Sequence, residues 1–285
     1  MWEGLRHLEG LRHLVVEGQQ GAGMPANALA CSGLETLSLR RSGSGVWPSA
    51  LDLALRPVAR LRSLTLASIA LDQAPAPAFW ASQAASLTEL RWQAVAARRG
   101  GGAAEHNPLG ARLPPLPVPD SLGLLTALVR LRLDHAGLRE VPPWVGALTR
   151  LRRLSLAGNR LRFGRAEGEP LQGLEALNLA GNNLKQLPIG VFACRGLRVL
   201  SFVRNPQPFP GYDYLKMRVL YHVLTHLTAL HFPADTPGGW RRGQLCTRIW
   251  ATRLSRGACA LPPLAGRATL LESVAVFHEP SDDTW

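Results

Sequence analysis

Leu151-Arg-Arg-Leu154-Ser-Leu156-Ala-Gly-Asn159-Arg-Leu161 returns 23 residues later as Leu174-Glu-Ala-Leu177-Asn-Leu179-Ala-Gly-Asn182-Asn-Leu184. Both stretches have the spacing L-x-x-L-x-L-x-x-N-x-L. The same spacing starts at Leu128 and at Leu197, again in steps of 23 residues. Less complete copies run upstream in steps of 23, 27 and 26, and they start at Leu11, Leu34, Leu61 and Leu87. Eight copies in one register predict a repeat architecture.

Each copy predicts a short strand whose leucines point inward, followed by a turn. The turn needs a side chain that hydrogen-bonds exposed backbone groups, and Asn159, Asn182 and Asn205 supply it. We expect these three asparagines to form a structural ladder. Upstream, the same position holds Gln19, Ser42, Ile69, Val95 and Ala136. The N-terminal half is therefore predicted to be less regular and less stable.

The repeats resemble the leucine-rich repeat family, and the resemblance covers roughly residues 5 to 232. The segments between strands, such as Leu138-Arg-Glu-Val-Pro142 and Leu184-Lys-Gln-Leu-Pro188, are similar to those of intracellular members. The resemblance implies an α/β repeat: a right-handed, curved solenoid with a parallel β-sheet on the concave face and short helices or turns on the convex face. It also implies a non-enzymatic protein that binds other proteins.

The predicted organisation has three parts. Residues 1–205 contain the repeats, and the step of 41 residues from Leu87 to Leu128 leaves room for an irregular, Gly- and Pro-rich loop at 98–120. Its Leu113-Pro-Pro-Leu-Pro117 run is either a connector or a polyproline ligand. Residues 206–232 are similar to the capping helix and strand of intracellular leucine-rich repeat proteins. Residues 233–285 are a basic tail, interpreted as poorly ordered or, alternatively, as a short helix that docks on a membrane or a partner.

Composition and charge exclude some classes of protein and leave others open. No apolar stretch approaches the roughly 18 residues of a membrane span. The net charge is +12, and all but two of the 32 Lys and Arg residues are arginine. This excess indicates either an electropositive surface for acidic partners or a drift in composition. The first sixteen residues contain several charged side chains, which argues against a signal peptide. We therefore expect a cytoplasmic protein, with a cilium axoneme, the cytoskeleton or the nucleus as alternatives.

No catalytic or cofactor motif is found in the sequence. The four cysteines are scattered and look like free thiols, and the histidines lack the spacing of a ligand set. His222 and His226 are spaced as neighbours on a helix, but no acidic residue accompanies them. Gly100-Gly-Gly102 lacks the Lys-Ser/Thr of a phosphate loop. We expect no enzyme activity, no cofactor and no metal.

The strand positions between the inward leucines predict a binding surface on the concave face. Arginines cluster near its centre, at Arg91, Arg130, Arg132 and Arg153, with Asp134 nearby and with Asn178 and Val199 in the same rows. Such a surface fits a protein partner that has an acidic patch. The alternative is that local pairs with Glu89 and Asp134 account for the arginines. Nucleic-acid binding agrees with the charge, but no motif supports it.

The function predicted on these grounds is a protein-interaction scaffold. A structural protein of the cilium axoneme, and a regulatory subunit in a phosphatase or small GTPase pathway, are the alternatives. The sequence leaves the oligomeric state open.

Overall fold

The computed structural model describes residues 10–17, 33–40, 61–71, 73–97, 114–162, 173–184, 191, 193–205 and 229–231. They belong to two compact units, which divide between Leu151 and Arg152. We call them unit 1 and unit 2. Residues 206–228 of the predicted capping segment, with its helix, lie outside the described residues, as do the tail after residue 232 and residues 98–113 of the predicted loop.

Unit 1 contains a parallel sheet of five strands that follow one another in chain order. They are β1 (His13–Glu17), β2 (Thr36–Arg40), β3 (Ser63–Ala67), β5 (Glu89–Gln93) and β7 (Arg130–Arg132). A second, two-stranded parallel sheet joins β4 (Ala70–Leu71) to β6 (Ala96–Ala97). The connections contain helix α1 (Pro77–Gln83) and the 3₁₀ helices Asp120–Leu124 and Pro143–Ala147.

Unit 2 contains four parallel strands in the same kind of arrangement. They are β8 (Arg153–Ser155), β9 (Ala176–Asn178), β10 (Val199–Ser201) and β11 (Ala229–His231). β11 lies in the segment 206–232, where the sequence predicts a closing strand. It pairs with β10 in register, Leu230 opposite Leu200.

The strand register is the one that the repeat alignment predicts. In unit 1 the row Leu37, Leu64, Leu90, Leu131 runs straight across four strands, and all four side chains are completely buried. Equivalent leucines therefore stack on one another and form a continuous core, as the period of a repeat protein requires. Trp92 takes a leucine position in β5 and packs near Trp80 of α1, with ring centroids 6.4 Å apart.

Asparagines close the turns of unit 2 and connect one repeat to the next. The Nδ2 of Asn182 donates to the carbonyl of Leu179 in its own repeat (3.1 Å) and to that of Leu156 in the preceding repeat (2.9 Å). Its Oδ1 accepts from the N–H of Leu161 (3.2 Å). Asn205 makes the equivalent bonds one repeat further on, and Asn159 donates to Leu156 in its own repeat. All three asparagines are buried, so they satisfy backbone groups that water does not reach.

The residue before each of these asparagines has a left-handed backbone. Gly158 and Gly181 adopt φ values of 66° and 62°. Their N–H groups donate to carbonyls of the following repeat, at Ala180 and Val203. The same position in other repeats is left-handed without glycine, at Ser68, Ala94, His135 and Arg204. The turn is thus common to both units, although its sequence is not.

Unit 1 closes its turns without asparagine. The positions that correspond to Asn159 hold Ile69, Val95 and Ala136, which are buried apolar side chains. Backbone groups take over the bonding: the N–H of Ala96 donates to Ile69, and that of Leu116 donates to Val95. The small β4–β6 sheet therefore replaces the asparagine ladder in the repeats of Ile69 and Val95.

The last part of the predicted loop is anchored to unit 1. Leu116 is buried, and Pro115 forms an isolated antiparallel bridge with Ala96. Gly137 has φ 73°, and a Cβ there would lie 2.4 Å from Pro115 Cγ, so the chain needs glycine for two reasons. Because the core holds Leu116, this leucine is not available to a polyproline-binding groove.

We predict that Gly181→Ala lowers the free energy of unfolding by about 1 kcal/mol, because alanine is disfavoured at φ 62°. Urea unfolding of the full chain measures the change. Gly10→Ala is the control, since Gly10 has no left-handed φ and no atom within 4 Å of the added Cβ. Equal effects of the two substitutions would contradict the role of the left-handed turn.

We predict that Asn182→Ala lowers the free energy of unfolding by about 2–4 kcal/mol, as measured by urea unfolding. The substitution leaves the buried N–H of Leu161 and the carbonyls of Leu156 and Leu179 with fewer partners. The neighbouring Asn183 is exposed and serves as the control, with Asn183→Ala expected to change stability by less than about 0.5 kcal/mol. A cost for Asn182→Ala as small as that of the control would show that the ladder contributes little.

Candidate functional site

The candidate surface consists of the strand residues that alternate with the buried leucines. We call this the outward sheet face, and it is the face that the sequence predicts to be concave. In unit 1 it places Glu89 opposite Arg130, and Arg91 opposite Arg132, on the neighbouring strands β5 and β7. Three of the four predicted arginines are thus brought together.

Arg91 and Arg130 are the members of this group that reach solvent. The Arg130 side chain is 45% exposed and its Nη1 lies 3.6 Å from Glu89 Oε2. The Nε of Arg91 donates to Gln93 Oε1 over 2.6 Å, along its own strand. On β2, Arg40 is held in a similar way, by a 2.9 Å bond from its Nε to Ser38 Oγ. Contacts within the sheet therefore orient these arginines before any partner arrives.

Other predicted residues of the surface in unit 1 are almost fully covered. Arg132 is 8% exposed and Asp134 is 7% exposed. Ser38 and Thr65, in the same row as Arg132, are also buried. Neighbouring side chains cover the middle of the outward face, because adjacent strands lie only about 4.8 Å apart. Arg132 and Asp134 thus present little surface to a partner.

Unit 2 contains the remaining predicted residues. Arg153 and Val199 are half-buried on the outward face, and Ala176 lies between them in the same row. Asn178 is 8% exposed, and its Oδ1 accepts a 3.0 Å hydrogen bond from the N–H of Ala180. Asn178 therefore stabilises the turn after its strand, while Arg153 and Val199 remain accessible.

The structure shows a row of ion pairs just before the strands that the repeat spacing did not predict. Glu35 lies 3.7 Å from Arg12 and 3.6 Å from Arg62, on both neighbouring repeats. In unit 2, Arg152 lies 3.9 Å from Glu175. The sequence carries the signal, since the residue after the first leucine of these repeats alternates in charge sign. The predicted rows began one residue later and left this position out.

Comparisons with known proteins agree with this architecture. No protein-family model matches the sequence, and no curated protein sequence matches it. Among solved structures, the leucine-rich repeat protein LIC12759 of Leptospira interrogans is similar with a TM-score of 0.55 and 21% identity, over 85% of this chain and 60% of that one. The chain has the leucine-rich repeat fold. TLR13, in its complex with ssRNA13, is similar with a TM-score of 0.52 and 21% identity, over 83% of this chain and 34% of TLR13.

The similarity confirms the predicted solenoid of parallel strands. The chain spans 60% of the length of the Leptospira protein and about a third of TLR13. Among the described residues, no helix is long and apolar enough to cross a membrane.

Charge is distributed unequally between the two leucine-rich repeat units. The described part of unit 1 has eight arginines and six acidic residues, and several of them form the pairs described above. The described part of unit 2 has seven arginines and one acidic residue, Glu175. Arg152, Arg195, Arg198 and Arg204 are exposed there, near the ends of the strands. Unit 2 therefore carries the stronger excess of positive charge.

The described residues include one cysteine and no cluster of metal ligands. Within the described ranges, no group of three or more His, Cys, Asp or Glu residues is placed to hold a metal ion. Cys194 is buried, and burial raises the pKa of its thiol from 9.0 to about 11. A thiol that stays protonated at neutral pH is a poor nucleophile, so Cys194 acts as a core residue.

The Cys194 thiol predicts a pH dependence of stability. Because its pKa is raised in the folded state, the unfolded state ionises first, and stability is lost as the pH rises from about 9 to about 11. The loss from this group is on the order of 2 kcal/mol. Urea unfolding under reducing conditions at pH 8 and pH 10.5 measures it, with Cys194→Ala as the comparison. Identical pH slopes for the two proteins would rule out this contribution.

Proposed function

We propose that the chain is a non-enzymatic protein-interaction scaffold that binds an acidic segment of a partner protein on the outward sheet faces. The observation that carries the proposal is that the exposed Arg130 and the half-buried Arg91 both reach solvent on adjacent strands of the sheet. Guanidinium groups bind carboxylates through paired hydrogen bonds, and arginine is common at the energetic centres of interfaces.

The rigid sheet favours binding because little has to be ordered. The strands that carry both arginines pair in register, and Gln93 and Glu89 already restrict the two side chains. Association with a partner then costs less free energy, because the rotamers of the two arginines are already restricted. The contact with Glu89 does not prevent binding, since both side chains of this 3.6 Å pair are more than 40% exposed and such pairs are weak.

Unit 2 offers a second, separate patch for the same kind of partner. Val199 provides apolar contact in the same row as Arg153, and Glu175 is the one acidic residue of the described part of this unit. Apolar contact beside arginine, with a local excess of positive charge, fits a partner segment that combines apolar and acidic residues. Arg132, Asp134 and Asn178 are buried, and we assign them a supporting role beside the exposed residues of these patches.

Binding of single-stranded RNA is the second candidate. It is favoured by the net charge of +12 and by the similarity in fold to TLR13, which was solved in complex with ssRNA13. Salt weakens both kinds of binding, so the two candidates are distinguished by the ligand that is bound, an acidic protein segment or RNA. When a protein contacts the phosphates of a single strand, the logarithm of the binding constant falls steeply as the logarithm of the salt concentration rises.

The biological setting depends on the partner. A regulatory role for a phosphatase or a small GTPase, and a structural role in an axoneme, are compatible with the same surface. A cytoplasmic location, or one in a cilium or the nucleus, is a prediction of the sequence alone.

We predict that Arg91→Glu with Arg130→Glu abolishes capture of a stoichiometric partner from nuclease-treated native extract. Loss of two solvent-accessible arginines at an interface centre is expected to weaken binding by about a hundredfold or more. The same proteins are titrated with fluorescent poly-L-glutamate and with a fluorescent single-stranded RNA at several salt concentrations. The scaffold proposal expects a discrete protein partner, and stronger binding to polyglutamate than to RNA.

The control is Arg139→Glu with Arg150→Glu, which changes the charge equally at exposed positions of unit 1 outside the strands. Arg153→Glu with Val199→Glu tests the patch in unit 2 separately. If all three variants capture the same partners as the wild type, the outward sheet face is not the binding surface. Tight, steeply salt-dependent RNA binding without a protein partner would favour the second candidate.

A further inference from the structure

Strand β1 has an open edge among the residues that the structure describes. It pairs on one side only, with β2, and stands at the end of the sheet. Val15, on the outward face of β1, is 60% exposed. Among the described residues, Leu124 is the one other large hydrophobic residue that is exposed. On the inner face, Leu11 and Leu14 are half-buried, whereas Leu34 and Leu37 of the next repeat are completely buried.

An edge of this kind is unfavourable when it faces water. The backbone N–H and C=O groups of an edge strand are free to pair with another strand, and apolar side chains beside them add to the attraction. A solenoid also needs its terminal repeat covered, because the inward residues of that repeat lack a neighbour. The described part of the chain supplies no cover for β1.

We propose that β1 binds β1 of a second copy of this chain, as an antiparallel pair around a two-fold axis through Val15. A two-fold axis perpendicular to the sheet makes two identical strands antiparallel, and it places the same residue opposite itself at the centre. The five residues His13-Leu-Val15-Val-Glu17 are self-complementary in this arrangement.

On the outward face, the arrangement pairs opposite charge tendencies. With Val15 opposite Val15, His13 of each copy lies directly opposite Glu17 of the other. Both side chains are exposed in this structure and available for the contact. Directly opposed residues have Cβ atoms about 5 Å apart, so imidazole and carboxylate are within hydrogen-bond reach. The two-fold axis produces two such His13–Glu17 pairs, one on each side of the valines.

On the inner face, the same register pairs apolar side chains. Leu14 of each copy lies opposite Val16 of the other, so that two half-covered ends meet and their cores join. This is the only register that sets His13 against Glu17 and at the same time keeps the leucines on the buried side. A shift by one residue in either strand would turn the apolar set outward.

The oligomeric state of the full chain tests this inference. Sedimentation velocity over a range of protein concentrations is expected to show a reversible dimer for the wild type. Val15→Lys places two like charges directly opposite each other and is expected to weaken the dimer by roughly tenfold or more. Leu124→Lys, at the other exposed large hydrophobic position of the described residues and outside the sheet, is the matched control and is expected to leave the dimer intact.

A charge swap separates this pairing from a general loss of hydrophobic contact. His13→Glu alone opposes two carboxylates twice and is expected to weaken the dimer, whereas His13→Glu with Glu17→Lys restores an opposite-charge pair at both places. Thermal unfolding of each variant checks that the fold is kept. A wild type that stays monomeric at every concentration, as it would if residues 1–9 covered β1, overturns the proposal. A dimer that ignores both Val15→Lys and the swap overturns it as well.

Discussion

The whole architecture depends on one constraint: the backbone groups in the turn after each strand lie inside the coil and must find partners there. A buried N–H or C=O without a partner costs free energy comparable to a lost hydrogen bond. In unit 2, Asn182 and Asn205 meet the constraint by bonding to two repeats at once. These bonds connect equivalent positions of successive repeats, and the strands of unit 2 pair in the same register.

Unit 1 meets the constraint with backbone bonds in place of side chains. Where asparagine is absent, Ile69 and Val95 fill the interior, and the chain continues into the strands β4 and β6, which bond to each other. Longer steps between these repeats provide the residues for the extra strands. This arrangement places apolar side chains where unit 2 has asparagine, and it depends on a particular path of the backbone. It also explains why the segment around Leu116 belongs to the fold although its composition is that of a loop.

The sequence was sufficient to predict the strands and their register, because leucine spacing sets the phase of every repeat. It was not sufficient to predict exposure. Arg132 and Arg130 are two residues apart on one strand, yet Arg132 is covered and the Arg130 side chain is 45% exposed. The difference arises from the side chains on the neighbouring strands, which a single repeat does not contain. The ion pairs of Glu35 follow from residues that the rows of strand positions excluded. The hydrogen bonds that close the turns at Ile69 and Val95 could not be predicted from the sequence, because they use backbone atoms alone.

The accessible part of the surface is therefore smaller and more specific than the list of outward residues. In a sheet whose middle row is covered, a partner meets the guanidinium groups that rise above it, together with small apolar residues that leave room for the partner's own side chains. Arginines held by neighbours on the same strand, as Arg91 is by Gln93, offer a fixed geometry that a flexible lysine would not. This favours discrimination by the placement of carboxylates over simple attraction to negative charge. The predominance of arginine over lysine in the sequence favours selective binding by the surface that we propose.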